Sequence, residues 1–147
     1  MPIDLVPFPS GEDDIIFVVE GDEVVRAALH FILDDQNDIH SFANLDQAFA
    51  KAADRTPNMV LLGIGFVENN GERALSEIAM RLPGTKILIV ANSVNNPIAR
   101  ASLRWGAHDV LGKPISFDSV RGKVDALLDR REIAPTMLGL LPQSAAW

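Results

Sequence analysis

Apolar runs alternate with amphipathic helical patterns from Ile15 to Leu128, and this alternation narrows the fold more than any other feature of the chain. Ile15-Ile16-Phe17-Val18-Val19 is an unbroken β-branched and aromatic run, as expected of a strand buried on both faces. Met59-Val60-Leu61-Leu62 and Ile87-Leu88-Ile89-Val90 read the same way, and Ile39 to Ala43 and Asp109-Val110-Leu111 are shorter strand signals. Between them, Glu23 to Leu33 places Val25, Ala28, Leu29 and Ile32 on one stripe. Leu45 to Ala53 follows with Asn44 as N-cap and Gln47 at the capping-box position. Glu72 to Leu82 is a third helix. A fourth starts at Pro97 behind Asn96, and a fifth follows Ser116 with Val120, Val124, Leu127 and Leu128 facing inward. The order is β-α repeated five times, which predicts a parallel sheet covered by helices on both faces. Ligands of such sheets gather at the carboxyl ends of the strands. The loops after Val19, Leu62, Val90 and Leu111 are therefore where a site is expected.

At 147 residues the chain reads as one domain, expected over 14–131, with a lead-in over 1–13 and an apolar tail over 132–147 broken by Pro135, Gly139 and Pro142. The lead-in lacks the positive and apolar regions of a signal peptide. No run approaches the ~20 apolar residues of a membrane-spanning helix, so no membrane insertion is expected. The absence of cysteine excludes disulfides, thiolate metal sites and a cysteine nucleophile, and fits a reducing cytoplasm. A net charge of -7 argues against direct nucleic-acid binding, which needs cations against phosphates. His30, His40 and His108 fall on separate elements with no i, i+4 pair, so no metal site is expected. The serines lack the strand-turn-helix setting of a hydrolase nucleophile.

At the strand ends the chain resembles the receiver domain of two-component response regulators, over about residues 13–130. Val18-Val19-Glu20-Gly21-Asp22 stands where receivers carry an acidic pair. Leu61-Leu62-Gly63 leads into a loop that reaches Gly71 at the family's spacing of eight. Gly106-Ala107, then Val110-Leu111, then Lys113-Pro114 match the family's closing motif. The resemblance implies a flavodoxin-like (CheY-like), doubly wound sheet of five parallel strands in three α/β/α layers. It also implies a cis peptide at Lys113-Pro114 and a bacterial, cytoplasmic setting.

The same resemblance implies that the phosphorylation pocket is degenerate. Receivers transfer a phosphoryl group to an aspartate, with a divalent cation and donors to neutralise its charge. That aspartate falls on Gly63, which has no side chain. The acidic pair falls on Glu20 and Gly21, with Asp22 displaced by one position and suited to capping the first helix. The fourth-strand hydroxyl residue falls on Ala91 and the switch aromatic on Val110, while Lys113 survives and is expected to pair with Glu20. No cofactor is expected, residual Mg²⁺ included, because one carboxylate is a poor cage. Glu68, on what reads as a loop, is not expected to replace the acceptor.

The function expected is an atypical receiver that works by phosphorylation-independent protein–protein contact and is not an enzyme. Its partners would be proteins of a signalling pathway, with a homodimer also expected. Both would use the face of the fourth helix, fifth strand and fifth helix, at Ile98, Trp105, Val110, Val120 and Val124. The alternative is a small-molecule sensor, or a residual enzyme, using the emptied pocket over Gly63 with Glu20, Asn92 and Lys113 around it.

Overall fold

The computed structural model describes residues 14–129, so the lead-in over 1–13 and the tail over 132–147 lie outside the described residues. Five strands form one sheet: β1 (Ile15–Val19), β2 (Asp38–Phe42), β3 (Met59–Gly63), β4 (Lys86–Ala91) and β5 (Asp109–Gly112). All are parallel, in the order β2-β1-β3-β4-β5, which is the flavodoxin-like order expected. The switch of direction falls between β1 and β3, and it brings the ends of those two strands side by side.

Alternation along the buried strands divides the core in two. Ile16 and Val18 point to the layer of α1 (Glu23–Leu33) and α6 (Phe117–Leu127), meeting Leu29, Leu33, Leu61, Leu88, Val120 and Val124. Phe17 and Val19 point the other way, toward Phe49, Leu62, Leu75, Ile78 and Val110. That second layer holds α2 (Leu45–Ala52), α3 (Ile64–Asn70), α4 (Glu72–Arg81) and α5 (Pro97–Arg104).

The expected caps are in place. Asn44 accepts from Gln47 N, Asn96 from Ile98 N and Ala99 N, and Ser116 from Ser119 N. The one departure in element order is α3, which occupies the stretch read as a loop from Ile64 to Asn70. Its signal was masked because Gly65 and two asparagines are poor helix formers. Tertiary packing overrides them: Val67 is buried, and Ile64 and Phe66 lean on the same core. Gly71 then breaks the chain between α3 and α4 with φ 66 and ψ −149, a conformation only glycine enters readily.

Candidate functional site

Glu20, Gly63, Ala91 and Lys113 sit at or just beyond the carboxyl ends of β1, β3, β4 and β5, as the topology demands. Glu20 continues β1, its N–H donating to Phe42 O at 3.1 Å. Its carbonyl accepts from Arg26 Nη1 at 2.7 Å, and its Oε2 accepts from Asp22 N at 3.0 Å. These bonds curl the side chain over the end of β3. A β-carbon added to Gly63 would lie 2.6 Å from Glu20 Oε1, 2.9 Å from its Cδ and 3.1 Å from Oε2. The carboxylate of Glu20 thus fills the volume a side chain at position 63 would enter. Gly63 itself has φ −62 and ψ 139, ordinary extended torsions that any residue adopts.

The other acidic side chain of this corner is engaged elsewhere. Asp22 Oδ1 accepts from Val24 N at 2.9 Å and Val25 N at 3.1 Å, the N-cap of α1. Gly21 is exposed with nothing near its missing side chain. Ala91 is buried and offers only a methyl group. Lys113 is exposed and makes no hydrogen bond or ion pair among the described residues, so the expected pairing with Glu20 does not form. Its peptide bond to Pro114 is cis, as expected. Across the sheet, Gly112 lies under the β4–α5 loop, and a β-carbon there would stand 3.0 Å from Val94 N. Among the described residues, no group of three or more His, Asp or Glu is placed to hold a metal ion.

The expected interaction face is corrected by burial. Val110 is 1% exposed and Val120 and Val124 are 0%, so these three belong to the core and offer nothing to a partner. Their helical and strand periodicity marks the inward stripe, and the inward stripe is what a five-stranded sheet consumes. Ile98 and Trp105 are half-buried against the core and keep part of their surface outside.

The sequence reading missed a different apolar surface. Val24 and Phe31 on α1 are 77% and 73% exposed, and Phe117 on α6 is 45% exposed. Phe31 and Phe117 meet edge to face with centroids 6.0 Å apart. The signal was present: Val24, Ala27 and Phe31 are spaced three and four apart, a second stripe beside the core stripe. Beside Phe31 a cavity of about 430 Å³ opens between α1 and β2, lined by Arg26, Ala27, His30, Asp34 and Ser41 among others. There His30 Nδ1 lies 2.7 Å from Ser41 Oγ.

Comparison with known proteins gives consistent matches. The family model for the response regulator receiver domain matches residues 16–125. The transcriptional regulatory protein LnrK of Bacillus subtilis is 27% identical over 108 residues, 71% of this chain and 49% of that protein. The chain thus spans about half the length of the regulators it matches. The structure of NtrX from Brucella abortus in complex with ATP superposes with a TM-score of 0.72 at 26% identity, over 80% of this chain and 27% of that one. A response regulator from Thermotoga maritima gives 0.72 at 19% identity, over 80% and 98%, a likeness of fold.

Proposed function

The chain belongs to the response regulator receiver family of two-component signalling, and on that premise we propose that it signals through contact with protein partners and without a phosphorylation cycle. The observation that carries this reading is the pair Glu20 and Gly63. Where the family's chemistry needs a nucleophilic carboxylate on β3, position 63 has no side chain, and the space above it holds the carboxylate of Glu20.

The donor set does not fit the family's divalent cation. Octahedral Mg²⁺ takes one or two carboxylates together with phosphate oxygens. Here the carboxylate of Asp22 is spent on two backbone N–H groups of α1, and Glu20 accepts from Asp22 N. Positions 21, 63 and 91 supply no oxygen from a side chain. The groups that would couple a phosphate to the surface are also missing, with a methyl at Ala91 and an aliphatic side chain at Val110. Input must therefore reach the domain by binding. The alternative, a ligand pocket over Gly63, is weakened because Glu20 occupies that volume. On this reading the protein is no enzyme, needs no cofactor and works in a bacterial cytoplasm.

Incubation of the full chain with acetyl phosphate and Mg²⁺, followed by intact mass measurement, tests the proposal. No phosphoryl adduct is expected. An adduct mapping to Glu20 or Glu68 would overturn it.

A further inference from the structure

The cavity between α1 and β2 belongs to no part of the strand-end site. Its volume of about 430 Å³ falls within the roughly 300–1,000 Å³ usual for small-molecule sites. We infer that it binds a free α-amino acid with an apolar side chain. The ligand's carboxylate would meet Arg26, its ammonium Glu23, and its side chain the wall of Ala27 and Phe31.

Arg26 supplies the partner for the carboxylate. Of the two arginines half-buried among the described residues, Arg121 grips Asp35 at 2.7 Å, whereas Arg26 has no carboxylate within ion-pair distance. Arg26 is held instead by a neutral group, its Nη1 donating to Glu20 O at 2.7 Å. That bond fixes the guanidinium and leaves the other N–H groups of the fork free to donate. A carboxylate that meets the fork with both oxygens supplies the charge this half-buried cation lacks.

Glu23 supplies the partner for the ammonium. It lines the same cavity three residues before Arg26, a spacing that puts two helical side chains side by side. The two do not pair with each other, and the Glu23 carboxylate makes no hydrogen bond or ion pair among the described residues. The other acid of the lining, Asp34, faces His30 instead, with its Oδ1 3.8 Å from Nε2. His30 is held from its other side, with Nδ1 2.7 Å from Ser41 Oγ. An α-amino acid carries both of its charges on one carbon, which suits an acid and a base standing side by side. A simple anion would face Glu23 unfavourably, and a simple cation would face Arg26 unfavourably.

Ala27 and Phe31, one turn apart, extend the lining with apolar surface. Phe31 is 73% exposed and is steadied by its edge-to-face contact with Phe117. An apolar ligand side chain laid on that ring removes from water a surface that the fold leaves wet. Arg26 also ties the cavity to the strand ends, since the carbonyl it holds belongs to Glu20, whose carboxylate covers Gly63. Use of the site as a signalling input rests on the partner-contact reading above. Binding in the cavity does not, so a phosphoryl adduct on Glu20 would leave it standing.

Titration calorimetry of the full chain with L-phenylalanine and L-leucine tests it, with phenylpropionate and phenylethylamine as controls that each carry one charge. Saturable binding of both amino acids is expected, with either control weaker by about tenfold or more. Glu23→Gln and Arg26→Gln are each expected to weaken L-phenylalanine by about tenfold. Phe31→Ser changes an exposed side chain and should also weaken it, so the site is read even if Arg26→Gln disturbs folding. Amide NMR shifts on adding L-phenylalanine are expected at Arg26, Ala27, Phe31 and Ser41. Absence of saturable binding, undiminished binding by folded Glu23→Gln or Phe31→Ser, or a control that binds as tightly as L-phenylalanine would overturn the assignment. So would shifts confined to the surroundings of Gly63, which would place the ligand at the strand ends.

Discussion

Glu20 and Gly63 share one volume: the Oε1 of the first lies 2.6 Å from where a β-carbon of the second would stand. The torsions at Gly63 suit any residue, so the conflict is with the Glu20 side chain alone. Gly63→Ala is expected to cost about 1 kcal/mol, part of it the poorer N-cap that alanine gives α3. In a Glu20→Ala background the cost should fall by about half a kcal/mol. Urea midpoints of the four proteins measure this coupling, and equal costs in both backgrounds would show that Glu20 does not hold that space.

Asp22 caps α1 through two backbone N–H groups. Asp22→Ala should therefore lower stability by about 1 kcal/mol, and Asp22→Asn should retain most of it. Adding millimolar Mg²⁺ is expected to leave the Tm of the native chain unchanged. A rise in Tm with Mg²⁺, abolished by Asp22→Asn, would mean that the carboxylate binds metal.

Val124 is fully buried while Met80 is 76% exposed. Val124→Ala should destabilise by about 2 kcal/mol, through lost transfer energy and a residual cavity. Met80→Ala should stay within about 0.5 kcal/mol. Denaturant unfolding distinguishes the two. A near-neutral Val124→Ala would return that residue to the surface and restore the expected interaction face.

His108 is held below the usual histidine range, first by burial and then by the nearby Lys86. The unfolded chain therefore binds more protons than the folded one just below pH 6.5, and stability rises with pH in that window. Its contribution is fully present above pH 6.5 and is lost as pH falls through the lowered value. In His108→Gln this part of the slope should disappear from a plot of urea midpoint against pH.

Much of the architecture was legible because strands buried on both faces announce themselves as continuous β-branched runs, and because Asn44, Asn96 and Ser116 are strong caps. α3 was not legible, since Gly65, Asn69 and Asn70 carry weak local preference and only the packing of Val67 fixes it. The bareness of position 63 was readable from one letter. The presence of Glu20 over it was not, because the direction of a side chain at a strand end depends on hydrogen bonds to Phe42 and Asp22 that spacing does not encode. Periodicity found Val120 and Val124, but inward periodicity identifies core, and the outward stripe at Val24 and Phe31 needed the packed structure to be recognised.

Gly112 has a mechanical consequence. With no side chain there, the turn at Ser93 and Val94 settles directly onto the end of β5. A methyl group at that position would act as a jack beneath the turn, pressing first on Val94, two residues before Asn96, whose side chain anchors Ile98 N and Ala99 N at the start of α5. A one-carbon change at the edge of the sheet would thus press, by a few tenths of an ångström, on the turn from which an outer helix starts.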